Sequence, residues 1–126
     1  MKAFVYLLIT ILGGLAPLSA QAAPQAMTAT ITWNDSAGNP HSYKISFVDI
    51  NKDAGDGNVT EVDGVPVLIP FRWARAPNEP GVVTITILGV WQAILENLPK
   101  TPAANQTGDA TINTNPLTTG TWARTS

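Results

Sequence analysis

Cysteine is absent from this chain of 126 residues. Its absence excludes disulfide bonds, thiol catalysis and zinc–thiolate sites. Small exported proteins often depend on disulfides, so stability has to come from elsewhere. The available routes are packing of the four tryptophans, a bound metal ion, or self-association.

Basic residues are also few, with seven Lys and Arg against nine Asp and Glu, for a net charge of −2. No basic cluster is present, so nucleic acid is not a predicted partner. The only histidine, His41, follows Asn39 and Pro40 in a predicted turn, and no serine lies in a recognisable nucleophile motif. These absences favour a non-enzymatic role.

Long apolar runs are confined to the N terminus. Lys2 precedes an apolar stretch over 3–18, and Ala20-Gln21-Ala22 supplies the small residues of a cleavage site. Residues 1–22 are therefore predicted to be a cleaved signal peptide, because the stretch is too short and too interrupted to span a bilayer. We expect a secreted or periplasmic protein of bacterial type, with no membrane span after signal removal.

Alternation of apolar and polar residues dominates the rest of the chain. Ala29, Ile31 and Trp33 alternate with threonines, which is typical of a strand with one buried face. The same pattern recurs at Tyr43, Ile45, Phe47; at Val65, Val67, Ile69, Phe71, Trp73; and at Val83, Ile85, Ile87. Several short strands at this spacing predict a mostly β fold, a small antiparallel β-sandwich or barrel.

Two departures from simple alternation carry further predictions. Pro66 and Pro70 lie on the polar face of one strand and predict that it is an edge or is interrupted. Trp91, Ile94 and Leu98 follow helical spacing up to Pro99, which predicts one short helix near residues 90–98.

The composition changes after residue 100. Residues 23–100 are predicted to form the β-rich domain, and residues 101–126, rich in Thr and Asn, a weakly structured segment or a final hairpin. Trp122 stands in this polar segment and is the best candidate for an exposed aromatic that contacts a ligand.

One loop carries a pattern typical of metal chemistry. Asp49, Asn51 and Asp53 alternate, Gly55 allows a sharp turn, and Glu61 follows as a candidate bidentate ligand. Calcium takes six to eight oxygens from such groups. The segment resembles the calcium loop of EF-hand and dockerin proteins, which implies a calcium cofactor. One extra residue before Glu61 and strand-like flanks make it a variant loop between strands, and a bare solvated loop is the alternative.

Three functions are compatible with these features. The first is an exported non-catalytic β-domain, calcium-stabilised, that acts as a binding or surface-associated module for an unknown ligand. The second is a structural subunit of an extracellular assembly, formed by self-association through a strand edge. The third is a small carboxylate-based hydrolase using Glu61 with Asp63, or Glu79 with Glu96.

Overall fold

The computed structural model describes residues 23–114 and 117–126. The predicted signal peptide, 1–22, lies outside the described residues. No helix in the described part of the chain is long and apolar enough to cross a membrane.

The fold is a closed antiparallel barrel of eight strands. The strands are β1 (Met27–Asn34), β2 (Pro40–Phe47), β3 (Ala54–Val62), β4 (Val65–Ala76), β5 (Glu79–Ile87), β6 (Trp91–Leu95), β7 (Thr107–Ile112) and β8 (Thr118–Arg124). Each strand pairs with the next, and β8 pairs with β1. The prediction of a mostly β fold is confirmed, and of its two architectures the barrel is the one formed.

Alternation along each strand fills the barrel interior. Ala29, Ile31, Ile45 and Ile85 are fully buried, whereas their neighbours point outward. Successive side chains of a strand lie on opposite faces, so a period of two places one set in the core and the other in solvent. The inward faces predicted for β1, β2 and β5 are confirmed. On β4 the prediction is confirmed for Phe71 and Trp73, whereas Val65, at the start of the strand, is 60% exposed.

The short helix predicted near residues 90–98 is wrong, since 91–95 form strand β6. Trp91, Ala93 and Leu95 point inward, and Ile94 points outward with 37% of its surface exposed. The segment pairs with β5 over Trp91–Leu95 and with β7 over Ala93–Leu95. Backbone hydrogen bonds on both sides outweigh a helical spacing that covers only about two turns.

Strand β4 has one neighbouring strand in its first half and two in its second half. Pairing with β3 covers the strand from Val65 onward, but pairing with β5 begins only at Phe71. The stretch Val65–Pro70 is therefore an edge, and both Pro66 and Pro70 lie in it, where a missing N–H is tolerated. Self-association through this edge stays a prediction.

Residues 101–126 contain the last two strands of the barrel. β7 and β8 pair with each other, and β8 closes the sheet against β1. Trp122 is 1% exposed, and its Nε1 donates a hydrogen bond to the carbonyl oxygen of Glu96 at 2.7 Å. The prediction of Trp122 as an exposed ligand contact is wrong, because β8 turns this residue into the core.

The two ends of the barrel differ. The end that we call the hairpin end carries the short turns 35–39, 63–64 and 88–90, and the end that we call the loop end carries the connections 48–53, 77–78 and 96–106. At the loop end, Arg75 is buried and donates hydrogen bonds to five backbone carbonyls. The hairpin end carries the candidate functional site.

Candidate functional site

His41 at the hairpin end joins two turns of the barrel. Its Nε2 lies 2.9 Å from Asp35 Oδ2, in the β1–β2 turn, and its Nδ1 lies 3.0 Å from Asp63 Oδ2, in the β3–β4 turn. A neutral imidazole has one N–H donor, whereas the charged form has two. Both contacts are therefore hydrogen bonds from His41 only when the ring is protonated. We call these three residues the Asp–His–Asp clamp.

Backbone hydrogen bonds hold both carboxylates in place. Asp35 Oδ1 accepts the N–H groups of Ala37 and Asn39, each at 2.9 Å, which is the local turn chemistry expected of Asp. Asp63 Oδ1 accepts the N–H of Ser42 at 2.8 Å. Asp63 and Gly64 have φ angles of 50° and 87° and form the two-residue turn between β3 and β4. The turns thus orient both acids toward His41.

The electrostatics of the clamp favour its charged form. Hydrogen bonds to Asp35 and then to Asp63 raise the pKa of His41 above its usual value. The pKa of Asp35 is lowered, mainly by His41, and that of Asp63 is lowered by the Ser42 N–H and then by His41. Burial, with a contribution from the charge of Asp63, raises the pKa of Tyr43.

An aromatic cluster supports the clamp from inside the barrel. The His41 ring stacks on Trp33, with centroids 5.6 Å apart and planes 24° apart. Trp33 in turn contacts Tyr43 and Trp91, with centroids at 5.0 and 6.0 Å. Trp33 is only 8% exposed. The cluster closes the hairpin end of the core and fixes the plane of the imidazole.

An open groove of about 550 Å³ lies beside the clamp. Its walls combine apolar surface, including that of Trp33 and Pro40, with polar side chains that carry hydroxyl, amide, imidazole and carboxylate groups. These polar side chains are Thr32, Asn34, His41, Ser42, Asp63, Thr119 and Thr121. A second groove, of about 500 Å³, shares Thr119, Gly120 and Thr121 with it and extends to Asp109 and Glu96. Together they run across β2, β1, β8 and β7 on the outside of the barrel, and we call them the hydroxyl groove.

Comparisons with known proteins give no match, whether with family models, with curated proteins or with solved structures. The chemistry of the site therefore has to be argued from its own geometry.

The clamp does not have the geometry of a serine-hydrolase triad. Such a triad needs one histidine nitrogen on the nucleophile and the other on an orienting carboxylate. Here carboxylates occupy both nitrogens of His41, and Ser42 contacts Asp63 through its backbone N–H. Glu61, proposed with Asp63 as an acid–base pair, is held by Lys44 Nζ at 3.0 Å. The two carboxylates of that pair are thus engaged in separate contacts, Asp63 with His41 and Glu61 with Lys44.

The residues predicted to bind calcium are spread along the barrel. Asp49, Asn51 and Asp53 lie in the 48–53 connection at the loop end, and Gly55 is the second residue of β3. Glu61 is eight residues beyond Asp53 along this strand, a separation of roughly 25 Å in extended chain. Glu61 thus does not close a site with the other oxygens, and it pairs with Lys44 instead.

The acids of the loop have partners within the protein. Asp53 Oδ1 lies 3.0 Å from Lys100 Nζ, and Asp49 Oδ1 accepts the N–H groups of Gln25 and Asn51. Across the described residues, no group of three or more His, Asp or Glu side chains is placed to hold a metal ion. Calcium binding stays a prediction, restricted to the side chains of the 48–53 loop.

Substitutions of Asp49 distinguish a calcium-binding loop from a bare solvated loop. Because its carboxylate accepts two backbone N–H groups, we expect Asp49→Ala to lower the free energy of unfolding by about 1 kcal/mol and Asp49→Asn, which keeps an acceptor oxygen, by less. Thermal unfolding with and without a chelator measures both effects. If Asp49→Asn lowers the free energy of unfolding as much as Asp49→Ala does, and a chelator lowers that of the wild type by a similar amount, then Asp49 is a calcium ligand.

Sequence reasoning missed the clamp, although part of its signal is local. The Asp63–Gly64 pair is a typical two-residue hairpin turn, and Asp35 opens a turn rich in Ser, Gly and Asn. What no local pattern indicates is that β2 pairs with both β1 and β3. That pairing places His41 between two turns that are 28 residues apart in the chain.

Proposed function

We propose that this protein is an exported, non-catalytic binding module whose contact surface is the hydroxyl groove. The observation that carries the proposal is an open groove in which several hydroxyl-bearing side chains lie beside apolar surface and the Asp–His–Asp clamp. The barrel interior is filled by core side chains such as Ile31, Phe47 and Ile85. A ligand therefore has room on the outer surface and not inside the barrel, in contrast to barrels that enclose a small molecule.

The lining of the groove favours a polyhydroxylated ligand, such as an oligosaccharide. Threonine and serine hydroxyls both donate and accept hydrogen bonds, as sugar hydroxyls do. Thr32 and Thr121 contact each other across β1 and β8, with their Oγ1 atoms 3.3 Å apart. Neither groove has a lysine or arginine in its lining, so an anionic ligand would find no countercharge other than His41.

Nuclear magnetic resonance tests the groove with soluble oligosaccharides of glucose and of N-acetylglucosamine. We expect amide shifts at Thr32, Ser42 and Thr121, with the sugars recovered unchanged. Thr121→Val keeps the side-chain shape and removes one hydroxyl, so binding should weaken about 5-fold, equivalent to about 1 kcal/mol.

Thr84→Val is the matched control, because Thr84 is an outward residue of β5 on the opposite side of the barrel. It should leave the affinity unchanged. The proposal fails if neither class of sugar shifts any amide of the groove at millimolar concentration, or if Thr84→Val weakens binding as much as Thr121→Val.

A further inference from the structure

The Asp–His–Asp clamp is the point at which the β1–β2 turn is tied to the β3–β4 turn through side chains. The side chain of His41 is 32% exposed, and those of Asp35 and Asp63 are 35% and 43% exposed. Solvent protons therefore reach all three groups. His41 and Asp63 also line the hydroxyl groove, so a change in the clamp alters the wall of the groove.

The charged surroundings of His41 are simple. Asp35 comes from the β1–β2 turn and Asp63 from the β3–β4 turn, and both act on its charge. Lys44 and Glu61, the next charged groups along β2 and β3, pair with each other. Tyr43 is the titratable group of the aromatic cluster, and burial, with the charge of Asp63, raises its pKa above 10.0, so it stays neutral when His41 loses its proton. On β1 and β8, the groove residues Thr32, Asn34, Thr119 and Thr121 carry no charge.

We propose that the clamp is a proton-operated latch: charged His41 holds the two turns together, and loss of its proton releases one of them at the wall of the groove. Neutral imidazole can donate to only one carboxylate. The other carboxylate then faces a nitrogen lone pair, and the two acids repel each other without an intervening cation. The inference concerns the shape of the groove, and its effect on a ligand rests on the proposed function.

The sign of the pH dependence follows from the direction of each shift. The folded pKa of His41 is raised above 6.5, so its contribution to stability is complete below pH 6.5 and is lost as pH rises through the folded pKa. The folded pKa values of both acids are lowered from 3.8, so their contribution is complete above pH 3.8 and is lost as pH falls through them. The clamp is therefore complete between pH 3.8 and 6.5.

Two properties of the chain make the test specific. The single histidine allows the imidazole titration to be assigned to His41 directly, and the absence of cysteine allows two thiols to be introduced for spin labels. Ala37→Cys places one label on the exposed β1–β2 turn, and Val65→Cys places the other beside the β3–β4 turn. Pulsed electron paramagnetic resonance then measures the distance between the turns without any ligand.

In the ligand-free labelled protein, we expect a narrow distance distribution at about pH 5 and a broader one at about pH 9, with the change following the His41 titration measured by nuclear magnetic resonance. His41→Gln should remove the pH dependence. Asp63→Asn keeps the turn and the acceptor for Ser42, lowers the pKa of His41, and should move the change in distance to lower pH. Glu61→Gln, an acid outside the clamp, should leave the change in place.

The latch is overturned if the distribution stays constant while His41 titrates, or if His41→Gln retains the wild-type change. Because these measurements need no ligand, they stand apart from the oligosaccharide experiment. Absence of sugar binding at both pH values, with the distance change intact, would overturn the proposed function and leave the latch.

Discussion

Replacing Arg75 with methionine should lower the free energy of unfolding by about 3 kcal/mol or more, the effect expected when a buried charged network is broken. For a domain of this size the melting temperature should fall by roughly 15 °C. Arg75 is 7% exposed and fills the loop end of the barrel from β4. Its Nε donates to the carbonyl of Lys52 at 2.9 Å, and Nη1 donates to that of Pro80 at 2.8 Å.

The remaining donors of Arg75 reach the 96–106 connection and a second carbonyl of the 48–53 connection. Nη1 also donates to Leu98, and Nη2 donates to Ile50 and Pro99 at 2.6 and 3.2 Å. All five N–H groups of the guanidinium are thus used, and they tie together the 48–53 connection, the start of β5 and the 96–106 connection. Methionine fills part of the volume but leaves five carbonyls without this donor. Burial lowers the pKa of Arg75, yet guanidinium remains charged in proteins.

Arg72→Met is the matched control on the same strand. Arg72 points outward, with its side chain 81% exposed, and pairs with Asp56 at 2.9 Å. An exposed ion pair contributes at most about 1 kcal/mol, so this variant should unfold close to the wild type in urea or on heating. Equal losses for Arg72→Met and Arg75→Met would contradict the structural role given to Arg75. Arg75→Lys should fall between the wild type and Arg75→Met, because an ammonium has three donors.

Gly108→Ala should cost about 3 kcal/mol, at the upper end of what overpacking in a core costs. Gly108 pairs with Trp122 across β7 and β8. A methyl group at this position would overlap the carbonyl oxygen of Glu96 and lie 2.6 Å from Trp122 Nε1. These two atoms are the partners of the hydrogen bond that fixes the Trp122 side chain. The backbone carbonyl has little freedom to move, so β7 would have to shift away from Glu96 and Trp122.

Gly81→Ala is the comparison for this prediction. A methyl group there would meet no heavy atom closer than 3.8 Å, and Gly81 has no positive φ. Its effect should be within about 0.5 kcal/mol of the wild type or slightly stabilising, because alanine restricts the unfolded chain. Chemical denaturation of both variants measures the two changes in the free energy of unfolding. If Gly108→Ala were as stable as Gly81→Ala, the close packing of Gly108 against Glu96 and Trp122 would not be needed for stability.

The sequence alone was sufficient to predict which side chains of several strands point into the barrel. Alternation at Ala29, Ile31 and Trp33 predicts their common inward face, because a period of two is a local property of extended chain. Pro66 and Pro70 predict the part of β4 that pairs on one side only, since proline lacks the N–H that a second neighbouring strand would accept. Both inferences need only a few consecutive residues.

Strand pairing decided everything that sequence reasoning predicted wrongly or missed. Residues 91–95 form β6 and Trp122 is buried because β5, β7 and β1 supply partners to otherwise ambiguous segments. The pairing of β3 with β2 and β4 carries Glu61 to the hairpin end, away from the loop in which its spacing suggested a calcium ligand. The local alternation of apolar and polar residues does not indicate which strands pair with each other.

What the amino-acid sequence determined by itself is thus the β class of the fold and the inward face of several strands, through side-chain alternation. The tertiary structure alone decided the eight-stranded closure, the five-carbonyl environment of Arg75 and the clamp between Asp35, His41 and Asp63. The physical reason is the distance along the chain over which each interaction acts. Alternation acts between neighbouring residues, whereas a guanidinium or an imidazole is satisfied by groups that meet only after the barrel closes.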